Sequence, residues 1–172
     1  MERQKRTLPP KGDWQIALHG GGKADYDQIM MNETPTPTVL TSAQQEALLT
    51  AAREAAEQAY APYSNFHVGA ALLDDRGRIF SGCNVENLSY GLTICAERNA
   101  IGAAVRAGAR KIVATLVYTP TPLPTPPCGA CRQVLAEFGP EMEIHMHCTG
   151  PTVARYTMRQ LLPAAFDDLQ RD

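Results

Sequence analysis

The chain has 172 residues, about one domain's worth, of which 44% are hydrophobic and 20% charged; this is too apolar for a disordered segment and enough to bury roughly 70% of the unfolded surface. Its 16 lysines and arginines against 18 aspartates and glutamates give a net charge of −2, which leaves no basic excess to hold a nucleic-acid backbone. Five cysteines are an odd number, the opening Met1-Glu2-Arg3-Gln4-Lys5-Arg6 has no apolar signal core, and no apolar run nears the roughly 20 residues that span a bilayer. The expectation is a soluble protein of the cytoplasm, a reducing compartment, whose thiols are kept for chemistry.

Residues 1–40 read as a flexible extension ahead of a domain over residues 41–172. They carry Pro9-Pro10, His19-Gly20-Gly21-Gly22-Lys23 and Thr34-Pro35-Thr36-Pro37-Thr38, with no sustained apolar period. The glycines lack the spacing and the following Ser or Thr of a phosphate loop, and the tandem Met30-Met31 offers a second start for the functional chain. From Ser42, which fits a capping box with Gln45, the stripe Leu48, Ala52, Ala55, Ala59 predicts an amphipathic helix ending near Pro62. Residues 66–73 are a short apolar run, Asp74-Asp75-Arg76-Gly77 is a turn, and residues 78–81 resume extended character, so a hairpin follows. Residues 95–107 are an alanine-rich helix stopped by Gly108, and residues 112–118 a β-branched buried strand. The Pro/Thr run over 119–127 can be neither element. A helix over 128–138, a strand over 142–147 and a short helix over 157–162 complete the series, which implies an α/β fold with a mixed sheet covered by helices.

Cys95 and the pair Cys128, Cys131 fall at two predicted helix starts, where unpaired N–H groups and the positive end of the helix dipole stabilise a thiolate. The two-residue gap in Cys128-Gly129-Ala130-Cys131 lets both sulfurs reach one Zn²⁺ within a turn, at Zn–S distances of about 2.3 Å. Three thiolates leave a fourth tetrahedral position open, the mark of a catalytic zinc site. Glu97, two residues after Cys95, suits a general acid and base, and Arg98 brings a guanidinium to thiolates whose charge with the metal sums to −1.

Cys95-Ala96-Glu97 with Pro127-Cys128-Gly129-Ala130-Cys131 corresponds to the zinc deaminase signature in an all-cysteine form. With Tyr63-Ser64-Asn65-Phe66-His67-Val68-Gly69, Gly82-Cys83-Asn84-Val85-Glu86-Asn87 and Leu161-Leu162-Pro163-Ala164-Ala165-Phe166, the chain resembles the homotetrameric zinc-dependent cytidine deaminases over about residues 42–166. The resemblance implies a three-layer α/β/α fold around a mixed five-stranded sheet, one zinc per subunit on Cys95, Cys128 and Cys131, and proton transfer by Glu97. It implies that Asn84 and Glu86 hold ribose hydroxyls, that Phe66 packs on the pyrimidine, and that the backbone at Ala96 meets the ring's polar edge. Tyr90 and Phe166 would help complete sites across subunits. The reaction implied is hydrolytic deamination of cytidine and deoxycytidine in pyrimidine salvage, with a nucleoside as substrate and neither a nucleic-acid polymer nor a membrane as partner. Leu88 departs from the smaller residue many relatives carry there.

Alternatives from the residues alone are a closed structural zinc site with Cys148, Cys83 or His145 as fourth ligand, a redox Cys-X-X-Cys, and a non-enzymatic zinc-stabilised interaction module. Within the resemblance, a deaminase of blasticidin S or a modified cytidine competes. Composition alone makes Phe66 and Tyr90 core aromatics, Cys83 and Cys148 buried thiols, and His145 and His147 ordinary residues on one face of a strand.

Overall fold

The computed structural model describes residues 40–166, so the extension and start expected in residues 1–39 lie outside the described residues. Helix α1, Ser42–Glu57, is followed by β1, Gly69–Asp74, and β2, Ile79–Cys83. A 3-10 turn over Tyr90–Leu92 leads to α2, Ala96–Arg106, and β3, Ile112–Tyr118. Then come α3, Gly129–Phe138, β4, Glu143–His147, β5, Ala154–Thr157, and α4, Met158–Leu161. The sheet runs β2-β1-β3-β4-β5, antiparallel except for the β3/β4 pair. Only that parallel pair needs a long crossover, and α3 supplies it. Among the described residues no helix is long and apolar enough to cross a membrane.

The sheet is apolar on both faces, as three layers require. All of β1 is buried. Ala70 and Leu72 join Ala100, Ala104, Leu135 and Ile144 in one core, while Ala71 and Leu73 join Leu48, Ala52 and Leu116 in the other. Period-two alternation along β1 therefore feeds α2 and α3 on one side and α1 on the other. Two glycines set the spacing. A Cβ on Gly69 would sit 1.9 Å from the Ala52 carbonyl oxygen, and one on Gly82 would sit 2.5 Å from the Ala100 nitrogen. Both helices thus rest on the sheet backbone, and the approach at Gly82 holds the helix that carries Glu97.

Several expectations shift. The capping box is Thr41 with Gln44 instead of Ser42 with Gln45: Thr41 is extended (φ −64°, ψ 155°) and its hydroxyl accepts the Gln44 N–H at 3.2 Å. Both pairs have the required spacing, and the tie is broken by Gln45, whose side chain turns back to the Leu40 carbonyl at 3.1 Å. The helix ends at Glu57, short of Pro62, and its buried stripe is Leu48, Ala52 and Ala56, with Ala55 only half-buried. Residues Ala154–Thr157 form an edge strand that the residue pattern missed, because Arg155 and Tyr156 are exposed and only pairing with β4 makes the segment extended.

The β1–β2 turn closes on Asp74, a carboxylate only 1% exposed. Burial pushes its pKa up, but N–H groups of Arg78 and Arg76 and the Arg78 guanidinium outweigh burial and hold it below the ordinary 3.8. A depressed folded pKa contributes stability above the unfolded value and loses it as pH falls through the folded value. Asp74→Asn is therefore expected to cost about 1.5–3 kcal/mol near pH 7, the worth of a hydrogen bond to a charged group. Denaturation midpoints measured from pH 7 to pH 3 should show the gap to the parent closing at the acid end.

Candidate active site

Cys95 and Cys128 are the N-cap residues of α2 and α3, both in extended conformation. Cys128 Sγ accepts the Cys131 N–H at 3.5 Å, so the sulfur occupies the place a serine oxygen takes in an ordinary cap. The Cys95 and Cys128 sulfurs lie 3.8 Å apart, and all three sulfurs fall within 4.8 Å of one another. Tetrahedral Zn–S bonds of about 2.3 Å place sulfurs about 3.8 Å apart, so the cluster fits a zinc ion with three thiolate ligands. Cys83, Cys148 and His145 are outside this cluster, which is the one such group among the described residues. Among the described residues a closed four-ligand site has no fourth ligand. All five cysteines are free; Cys148 is buried as expected, whereas Cys83 is half-buried.

The thiols do not titrate alike. A hydrogen bond from the Cys131 thiol, helped by Arg98 and Cys128, pulls Cys95 down to about 5. Cys131 is pushed up, because it is the group that gives the shared hydrogen bond to Cys95 and it is also buried. Arg98 Nη2 donates to Cys95 Sγ at 3.4 Å and to the Thr93 carbonyl at 3.1 Å, locking the guanidinium beside the thiolate. Glu97, in the first turn of α2, is 4% exposed. Burial raises its pKa, the negative charge of Cys95 adds to the rise, and its own backbone N–H pulls the other way. A buried carboxyl with a raised pKa beside a cluster of cysteine sulfurs is equipped to take and give a proton.

The loop after β2 is tied down by local pairing. Val85 and Ile94 exchange backbone hydrogen bonds at 2.9 and 3.0 Å, and Tyr60 pairs with Val85. Asn84 is buried, its amide oxygen accepting from the Val68 N–H and its nitrogen donating to the Phe66 carbonyl, each at 2.8 Å. These bonds leave one lone pair and one N–H of the amide for another partner. Glu86 accepts from the N–H groups of Tyr63 and Ser64 and from the Ser64 hydroxyl, which is the main cause of its lowered pKa. Ser64 is a residue sequence reasoning left without a role. Its spacing from Phe66, whose N–H it accepts at 3.0 Å, was the available signal.

Phe66 and Tyr90 are not core aromatics: they are 38% and 76% exposed, and Tyr90 packs edge-on to Tyr63 at 6.3 Å between ring centroids. Leu88, Leu92, Ile94 and Phe166 are exposed as well. Ala96 is buried at the start of α2. His145 is buried and bonded to Glu143 at 2.8 Å, and burial is the first cause of a lowered pKa at His147. A cleft lined by Arg53, Ala56, Glu57, His67, Tyr118 and Pro120 shares no residue with the thiolate cluster.

Residues 42–147 match the family model described as the cytidine and deoxycytidylate deaminase zinc-binding region. The chain is 47% identical over 122 residues to a cytidine deaminase of Halalkalibacterium halodurans, covering 70% of this chain and 92% of the relative. It is 45% identical over 123 residues to one of Mycobacterium tuberculosis, covering 70% and 90%. Among solved structures, cytidine deaminase from Burkholderia pseudomallei superposes with a TM-score of 0.68 at 48% identity, over 74% of this chain and 100% of that one. The Mycobacterium tuberculosis structure gives 0.63 at 41% identity, over 72% and 98%.

Proposed function

This chain belongs to the cytidine deaminase family, and from that premise we propose that it catalyses zinc-dependent hydrolytic deamination of cytidine and deoxycytidine to uridine and deoxyuridine, releasing ammonia. The observation that carries the reading is the buried Glu97, its pKa raised, in the helical turn capped by Cys95 of a three-sulfur cluster of zinc-binding dimensions. Cys95, Cys128 and Cys131 hold the metal, and Arg98 steadies the Cys95 thiolate. Zinc, when bound, supplies a Lewis acid that brings water toward a pKa of about 7. Glu97 takes a proton from the attacking water and delivers it to N3 of the ring. The same carboxyl then takes the remaining proton from the hydroxyl now on C4 and gives it to the amine, so the C4–N bond breaks, water's oxygen stays as the C4 carbonyl and ammonia departs.

Asn84 and Glu86 bind the ribose hydroxyls, Phe66 packs on the ring, the Ala96 backbone meets the ring's polar edge, and Leu88, two residues after Glu86, narrows or reshapes the pocket. The remaining donor and acceptor of Asn84 suit a hydroxyl, which is both. A free base would leave these groups desolvated at a cost of about 1–3 kcal/mol each. Tyr90, Phe166, Leu88, Leu92 and Ile94 are large apolar side chains exposed on the single chain, which supports a homotetramer whose neighbours cover them and complete each site. Unpaired thiols suit the cytoplasm, where the products would enter pyrimidine salvage. The catalytic domain in this reading spans residues 41–172, with residues 1–40 as an extension.

A panel of cytidine, deoxycytidine, cytosine and blasticidin S, followed by ultraviolet absorbance with released ammonia, tests the reading. Turnover of both nucleosides with at least about a tenfold preference over cytosine is expected, the size that one desolvated group provides. Turnover of blasticidin S alone would move the substrate class. Zinc without turnover on any of the four would leave an interaction module.

A further inference from the structure

Arg132 directly follows Cys131, is half-buried, and uses its guanidinium as a bridge. Its Nε donates to the Pro127 carbonyl at 2.8 Å and its Nη1 to the Leu161 carbonyl at 3.1 Å. Pro127 is buried and immediately precedes Cys128, so its carbonyl needs a donor and Arg132 supplies one. The run over residues 119–127 holds no helix or strand, and its five prolines have no N–H with which to anchor it. Donors from elsewhere must set its path. At the upstream end the Thr149 N–H and hydroxyl both reach the Thr121 carbonyl, at 3.1 and 2.9 Å, and the Thr119 and Thr121 hydroxyls pair at 2.7 Å. At the downstream end the Thr125 hydroxyl pairs with that of Thr119 at 3.3 Å, and the side-chain donor from outside the run is Arg132. The C-terminal segment that receives the second bond is itself held, since Gln133 donates to the Phe166 carbonyl at 2.7 Å and accepts its N–H at 3.2 Å.

We propose that Arg132 is a positioning residue for the metal centre: by bridging the end of the Pro/Thr run to the C-terminal segment, it fixes Cys128 where its sulfur meets those of Cys95 and Cys131. The inference rests on the reading of these three cysteines as zinc ligands. Cys128 is the exposed member of the cluster and has the least packing of its own to hold it. Two donors in a planar fork reach two carbonyls at once, which an ammonium on a flexible stem does not reproduce.

The test is zinc release from the loaded full-length protein into excess chelator, followed with a metallochromic dye, for the parent, Arg132→Met, Arg132→Lys and Asp74→Asn. Residues that orient metal ligands typically contribute 10–100-fold to metal affinity, so Arg132→Met should release zinc at least about tenfold faster than the parent. Arg132→Lys should fall between them, and Asp74→Asn should release at the parent rate although its melting temperature drops. Cobalt-substituted Arg132→Met should also show displaced visible bands, which loss of stability alone would not produce. Release within about twofold of the parent, or equal acceleration in Asp74→Asn, overturns the proposal. Should Arg132→Met fail to fold, Arg132→Lys decides: release about threefold faster or more supports the bridge, and less overturns it. A parent that holds no zinc overturns the functional reading together with this one, whereas a parent that holds zinc as firmly as its Arg132 variants overturns this one alone.

Discussion

Glu97→Ala is expected to keep zinc bound while lowering turnover on cytidine by at least about 10²–10⁴-fold, the contribution of a positioned general acid and base. The size follows from the site's geometry. Glu97 is buried at the first turn of α2, two residues after Cys95, and the metal-binding group beside it consists of three cysteines with no carboxylate among them. Its loss leaves nothing to carry a proton between water, ring and amine. Glu97→Gln is the sharper version, because it keeps volume and burial and removes only the titration. The raised pKa means that the ionised carboxylate is disfavoured in its buried setting, so neither substitution should lower the melting temperature by removing a stabilising charge. Zinc content by elemental analysis and steady-state rates on cytidine check both halves. A variant that turns over at the parent rate would remove Glu97 from the mechanism.

Cys128→Ser should abolish zinc retention and activity together while leaving the helix it caps intact. Cys128 is exposed, so its replacement opens no cavity, and serine is a better N-cap than cysteine. The hydroxyl can still accept the Cys131 N–H. It cannot supply the soft thiolate that makes a three-sulfur zinc site, since a serine hydroxyl stays protonated where a metal-bound thiol ionises. Unchanged far-ultraviolet circular dichroism with zinc below about a tenth of the parent's stoichiometry is the expected result, corresponding to at least the 10–100-fold affinity loss seen when even a supporting residue is removed. Full zinc content would show that the metal is held elsewhere.

Much of the site was legible because its chemistry depends on local spacing. Cys95 and Cys128 at helix starts, Glu97 within the first turn and Cys131 one turn on are relations within a few residues, and helical geometry alone converts them into positions. The same locality made the Ile112–Tyr118 strand, the hairpin with its Gly77 turn and the helix stop at Gly108 readable, since both glycines adopt positive φ where the chain must turn. Misread elements lacked a local signal or had two. The Thr41/Gln44 and Ser42/Gln45 boxes are equivalent in spacing, and Ala154–Thr157 becomes a strand only through its neighbour.

By itself the sequence determined the helix and strand periodicities, the two thiolate-bearing helix starts and the resemblance that assembles them into one deaminase site. Tertiary structure alone decided that the three sulfurs meet within 4.8 Å, that Glu97 is buried while Phe66 and Tyr90 are exposed, and that Arg132 joins Pro127 to Leu161. The division has a physical cause. Spacing along a helix fixes directions over one or two turns, whereas burial, pKa and long-range bridging depend on which distant segments the sheet brings together. Here that meant Gly82 letting α2 rest against β2 and Gln133 holding the chain at Phe166.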